Sequence, residues 1–335
     1  MKPCPFTLYL LLATLCACTE SDVSEITPPE VSAPINWKVV TIKGTRALIE
    51  NDTQLQTACT PSIGGEAITI WGSHNRSDEP IFNGTLLTYE AKTSTTPHMW
   101  NYVDEPDKYW LYSTEYDFLA YYPADFPNVV ATSTLFTATY NSMVQQEDLM
   151  LARTTVNTAD AAFDKYAPVP LQMNHALAAV KFKVKSKNGR TMTLKSLSLS
   201  GLYTKGDFVY QSKSKPAVTD WENHSDNTAS YDWAGTLTFD GTAADVTGYT
   251  ATSPLATYAE DGFILVIPQQ DCLPALDIAT TDKVYDRAVL GEVDFEPGKQ
   301  YVYTITIDPK FDFSITVVTT SWEKTIIPDI IVGDN

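Results

Sequence analysis

The feature that most limits what this chain can fold into is a short-period alternation of apolar and polar side chains. In residues 174–185, Val180, Phe182 and Val184 fall on one face while Lys181, Lys183 and Lys185 fall on the other. A β-strand points successive side chains to opposite faces, so this period of two describes a strand with one dry and one wet side. Residues 67–71 alternate in the same way, and further strand-like runs follow at 82–89, 100–102, 109–112, 116–122, 192–202, 236–239, the wholly apolar 263–267, 301–307 and 311–317, with linkers rich in Ser, Thr, Asp and Gly. Short strands at such spacing predict an all-β sandwich fold. Residues 145–152 and 158–163 are the only stretches that read as helical turns, inside a looser region from 124 to 167. No fixed-period repeat of a solenoid or propeller is present.

Length decides how many such units to expect. A chain of 335 residues is too long for one small sandwich and fits two. Pro168 and Pro170 follow the looser region, which places an N-terminal β-sandwich domain at 47–170 and a C-terminal one at 171–335. The formal charge of −18 makes nucleic acid and anionic lipid surfaces poor partners. Residues 1–46 carry four basic and four acidic side chains, so losing them would leave that charge unchanged.

Lys2 precedes an apolar run over 6–15, too short for a permanent membrane span but of the length of a signal-peptide core. Leu15-Cys16-Ala17-Cys18 follows and matches a bacterial lipobox, with Cys18 as the residue whose thiol takes diacylglycerol. Residues 1–17 then read as a lipoprotein signal peptide, and a plain secretory signal is the alternative. From Thr19 to Ala33 the chain is polar and proline-bearing, with little to bury, and reads as an extended tether.

Trp37-Lys38-Val39-Val40-Thr41-Ile42 reads as a strand and runs into Gly44-Thr45-Arg46. A basic residue in an exposed linker suits a trypsin-like protease. Cutting between Arg46 and Ala47 would remove a strand (the segment 18–46 acting as tether and propeptide) and leave an open sheet edge, which is a binding site for another strand. The alternative is an ordinary first strand followed by a solvated turn. At the other end, Ile326, Ile327, Ile330, Ile331 and Val332 make an unusually apolar terminus. They either pack as a last core strand or fill another molecule's groove.

Marks of common enzyme classes are missing. The sequence has no phosphate-binding P-loop, no Gly-rich dinucleotide turn, no Gly-x-Ser-x-Gly, no His-Glu-x-x-His and no Cys-x-x-Cys. His74, His98, His175 and His224 lack metal-ligand neighbours at useful spacing, so no metal and no cofactor is expected. His175, beside an apolar strand, reads as a structural histidine with a hydrogen-bond partner. A glycosidase carboxylate pair is drawn from distant positions, and the sequence leaves it open. Cys59 and Cys272 are the two cysteines beyond the export signal and lie far apart in the chain. Trp71, Trp100, Tyr109 and Trp110 could stack on sugars, although a β core needs aromatics in any case.

Several short motifs together resemble one family: the lipobox Cys18, Thr45-Arg46-Ala47 after a strand, Tyr109-Trp110, Ala120-Tyr121-Tyr122-Pro123, Gln146-Glu147-Asp148-Leu149-Met150, His175-Ala176-Leu177-Ala178 and a late Trp322. The chain is similar over nearly its whole length to the fimbrillin family of Bacteroidales, the Mfa-like and FimA-like subunits of type V pili. That resemblance implies two tandem transthyretin-like β-sandwich domains and export to the outer membrane as a lipoprotein. It also implies cleavage between Arg46 and Ala47 by an Arg-specific protease, and assembly with other fimbrial subunits by strand exchange. Residues 37–43 would be the strand removed and 325–332 the candidate donor, although Pro328 cannot donate a ladder hydrogen bond. The competing expectation is a monomeric outer-membrane lipoprotein that keeps its first strand and binds a glycan or host protein.

Overall fold

A computed structural model describes residues 30–41, 52–90, 100–103, 105–211, 215–247, 262–308 and 313–321. In chain order the first half contains β1 (Glu30–Pro34), β2 (Trp37–Thr41), α1 (Asp52–Ala58), β3 (Ile68–His74), β4 (Ser77–Tyr89), β5 (Trp100–Tyr102), β6 (Tyr109–Leu111), β7 (Glu115–Tyr122), β8 (Val129–Ala131), β9 (Phe136–Asn141), β10 (Met150–Asn157) and β11 (Val169–His175). The second half contains β12 (Ala178–Ser186), β13 (Met192–Ser200), β14 (Lys205–Tyr210), β15 (Trp221–Ser225), β16 (Tyr231–Phe239), β17 (Ala244–Asp245), β18 (Phe263–Val266), β19 (Gln269–Cys272), β20 (Ala275–Thr280), β21 (Val284–Val289), β22 (Val293–Phe295), β23 (Lys299–Ile307) and β24 (Phe313–Ser321). The protein is all-β.

Seven strands form the first large sheet in the order β2-β11-β10-β7-β3-β4-β5. Its inner face packs Ile70, Phe82, Phe118, Ala120, Met150 and Leu171 into one core. Strand β7 has both faces covered, with Tyr116, Phe118 and Ala120 in that core and Leu119 and Tyr121 in another. This double burial explains why its sequence is almost continuously apolar instead of alternating.

The second half forms a sandwich. One sheet runs β17-β12-β23-β24, with β18 also paired to β12; the other runs β16-β13-β20-β21. Phe182, Val184, Leu197, Trp233, Tyr303 and Ile305 fill the space between them. The lysine face of β12 behaves as its pattern predicts: Lys181 and Lys183 point outward and share the Asp245 carboxylate at 3.1 and 2.8 Å.

A four-stranded sheet, β15-β14-β9-β8, joins the halves, because β9 from the first pairs with β14 from the second. Under it lies a third core that takes Leu119 and Leu151 from the first large sheet and Ala179, Phe263 and Leu265 from the second half. Residues 170 and 171 both lie inside β11, so the first sheet continues to His175.

The looser region differs from its sequence reading. Residues 129–131, 136–141 and 150–157 are strands, and β10 lies between β7 and β11 in the sheet interior. An apolar run such as Met150-Leu151-Ala152 has no period of its own, and the ladders on either side decide its conformation. Among the described residues α1 is the one α-helix; of the helical turns expected at 145–152 and 158–163, the first gives way to β10 from Met150, and the second is a pair of isolated turns closed by Asp160 N–H to the Asn157 carbonyl and Phe163 N–H to the Asp160 carbonyl.

Candidate functional site: the groove that holds residues 30–41

Strands β1 and β2 are laid into the first half as a single extended segment. β1 pairs antiparallel with β6, and β2 pairs parallel with β11 from Trp37↔Val169 to Thr41↔Met173. Along this segment Ala33, Ile35, Trp37, Val39 and Thr41 are buried, while Lys38 is exposed. The β-branched and aromatic residues that marked 37–42 as a strand alternate inward and outward along β2, and the inward set fills the groove.

β2 and β5 are the two edges of the seven-stranded sheet, and the sheet curls until they meet. Tyr102, at the end of β5, makes the contact: its hydroxyl donates to the Ile35 carbonyl at 2.6 Å and accepts from Trp37 Nε1 at 3.1 Å. Burial pushes the Tyr102 phenol above the usual tyrosine range, opposed by the hydrogen bond from Trp37. Backbone bonds extend the seam, from Ile35 N–H to the Lys108 carbonyl and from Val169 N–H to the Asn36 carbonyl, both 2.7 Å. At the far end Asp52 Oδ1, on the first residue of α1, accepts from Thr41 N–H at 2.7 Å and from Thr41 Oγ1 at 3.1 Å.

The Trp37 site is an aromatic box. The indole meets Phe118 nearly edge-on at 5.1 Å and Phe82 at 5.5 Å between ring centroids. Gly72 lies against both phenylalanines, where an added Cβ would come within 2.7 Å of Phe82 and 2.9 Å of Phe118. A side chain at position 72 would therefore force both rings that hold the indole to shift.

The other motifs meet where the halves join. The Gln146 amide donates to the carbonyls of Ser142 (2.7 Å) and Leu265 (3.0 Å) and accepts from Leu265 N–H (2.7 Å), so one buried side chain satisfies both backbone groups of a residue in β18. His175 Nδ1 and Asp148 Oδ1 are 2.9 Å apart, both buried, as expected of a structural histidine. Ala176 donates to the Leu149 carbonyl, and Trp221 Nε1 donates to the Ala176 carbonyl.

Trp100 and Trp110 belong to the core. Trp110 is 1% exposed and packs against Tyr116, Phe118 and Phe163, so it presents no face to a sugar; Tyr109 is exposed and Trp71 half-buried. Cys59 and Cys272 are free, buried and in different cores. Burial, helped by Glu66 at Cys59 and by Asp294 and Asp271 at Cys272, pushes each thiol up to about 12. No group of three or more His, Cys, Asp or Glu among the described residues is placed to hold a metal.

Cys18, Arg46, Ala47, Ile326, Ile327, Ile330, Ile331 and Val332 lie outside the described residues, as do residues 42 and 43 of the expected leaving strand. The sequence reading did not find β1, which it placed in the tether because Pro28, Pro29 and Pro34 suggested an open chain. Pro34 is accommodated where the β1–β6 register shifts. Tyr102 and Asp52 carried no local signal for their part in the groove.

The sequence profile of a family described as fimbrillin-like matches residues 45–322. The chain belongs to the fimbrillin-like family. The matched span begins just beyond the segment that occupies the groove. Solved structures similar to this fimbrillin include a fimbrial protein from Bacteroides vulgatus, 14% identical with a TM-score of 0.54, covering 87% of this chain and 99% of that one. A Bacteroides ovatus protein with a proposed role in cell adhesion is 18% identical with a TM-score of 0.50, covering 90% and 99%. At these identities the likeness is one of fold. No curated protein matches the chain.

Proposed function

We propose that this fimbrillin is a structural or tip/accessory subunit of a cell-surface fimbria, exported as a lipoprotein through Cys18, cleaved between Arg46 and Ala47, and joined to its neighbours by strand exchange in support of adhesion. The observation that carries the reading is the seating of residues 30–41. They supply one whole edge of the large sheet and four apolar side chains of its core, and Arg46 follows Thr41 by five residues. Removing the segment would strip β6 of its partner, leave β11 paired to β10 alone, and empty the sites of Ala33, Ile35, Trp37 and Val39. Burial of a large apolar side chain stabilises by roughly 1.5 to 3 kcal/mol, so refilling the three larger sites supplies several kcal/mol toward a joint, before ordering costs. Family membership and the fimbrial description of the B. vulgatus neighbour support the same reading.

The partners in this scheme are other fimbrial subunits, an Arg-specific protease and, before cleavage, the outer membrane through the lipid. Residues 325–332 are the candidate donor strand. The test is the N-terminal residue and mass of the protein recovered from the cell surface. An unlipidated start at Ala47 is expected. A lipidated start at Cys18 on all of the surface protein would overturn strand removal and favour a monomeric lipoprotein that binds through its surface.

A further inference from the structure

We infer that the strand which fills this groove after cleavage carries an indole-sized aromatic at the Trp37 position and comes from a chain of different sequence, not from residues 325–332 of another copy. The inference rests on the strand-exchange reading and names the partner that reading leaves open. The occupant now in place shows what the groove accepts: a small residue at Ala33, aliphatic residues at Ile35 and Val39, and between them a tryptophan boxed by Phe82 and Phe118 with its Nε1 on the Tyr102 hydroxyl.

The tail of this chain does not match that pattern in any register. A strand presents every second residue to the groove, so the tail offers either Ile326, Pro328, Ile330 and Val332 or Thr325, Ile327, Asp329 and Ile331. In the first set the best placement puts Ile330 in the Trp37 site, which sends Pro328 to the Ile35 position and Ile326 to the small Ala33 site. In the second set, placing either isoleucine in the Trp37 site sends Asp329 to the Val39 or Ile35 position, where a carboxylate would be buried. Each placement leaves the aromatic box underfilled and Tyr102 without the indole donor.

Trp322 does not rescue the match. With its indole in the Trp37 site, Lys324 would fall on the buried Val39 position, and Thr320 would have to leave its place opposite Gln300 in the β23–β24 ladder to reach the Ile35 position.

The test uses the full chain cut after Arg46 and four fluorescent peptides, read by anisotropy as each displaces the seated segment. The peptides are residues 30–46, the same with Trp37→Ile, residues 322–335, and the last with Ile330→Trp. The expected order is tight binding of 30–46, a loss of at least about tenfold on Trp37→Ile, weaker binding still of 322–335, and a gain for 322–335 on Ile330→Trp. Binding of 322–335 within about threefold of 30–46 would overturn the inference while leaving strand exchange intact. Failure of 30–46 itself to bind would overturn both.

Discussion

The Tyr102 hydroxyl donates to the Ile35 carbonyl at 2.6 Å, across 67 residues of chain, and so ties one edge of the curled sheet to the segment that forms the other. The same oxygen receives the Trp37 indole N–H. One phenol thus satisfies a backbone acceptor and a side-chain donor that would otherwise be left inside the seam.

Tyr102→Phe keeps the ring against Phe82 and removes only the hydroxyl. Leaving a buried acceptor and a buried donor unpaired costs about 1 to 3 kcal/mol, and urea unfolding followed by tryptophan fluorescence should show a lower midpoint with little change in slope. An unchanged midpoint would mean that water replaces the phenol.

Gly72→Ala tests the aromatic box. The added methyl group meets Phe82 and Phe118 at less than van der Waals distance, so the rings that pack on Trp37 must shift. Overpacking of this kind costs about 1 to 3 kcal/mol. Gly189→Ala makes a useful contrast, since a Cβ there meets nothing within 4 Å and its cost comes from the positive φ alone.

Gln146→Leu keeps the volume of the side chain but leaves the Ser142 carbonyl and both backbone groups of Leu265 without their partner. A loss of about 2 to 4 kcal/mol is expected in denaturant unfolding. Hydrogen exchange should rise at the Leu265 amide first, because that N–H bonds directly to the glutamine.

Alkaline pH should destabilise the fold. Burial raises the Cys59 and Cys272 thiols to about 12, whereas an unfolded thiol titrates near roughly 8.5. Between those values the unfolded chain binds fewer protons than the folded one, so stability is flat below the unfolded pKa and falls as pH rises toward the folded one. The fully buried Tyr231 and Tyr303, also raised by burial, extend the loss to higher pH. The melting temperature should drop between pH 8 and pH 10. Alkylation mapped by peptide mass at pH 8 should spare both cysteines until urea is added, and rapid labelling of either in the native protein would contradict their burial.

Part of the candidate site was legible in the sequence, because β-branched and aromatic side chains without a breaker favour a strand. The residue types over 37–42 predict a strand, and within it the structure turns Trp37 and Val39 inward and Lys38 outward. Trp100-Asn101-Tyr102 was also readable as a strand. Its role at the seam was not, since nothing near Tyr102 indicates that Ile35 will come within reach. The tether reading ended too late for the same kind of reason: prolines argue against a central strand but not against an irregular pairing such as β1 with β6. Gln145-Gln146 and the run after it suggested helical turns, and the buried amide bonds of Gln146 and the ladders flanking β10 overrode that local preference.

By itself the sequence determined the all-β class, the wet and dry faces of β12, and the absence of common catalytic motifs, because each of these is a matter of local period or local spacing. Tertiary structure alone decided which edges meet. That β2 runs parallel to β11, that β9 crosses to pair with β14, and that Tyr102 closes on Ile35 all depend on partners far away in the chain. A strand's backbone groups pair equally well with any neighbour, so only the simultaneous burial of three cores selects the neighbour each one takes.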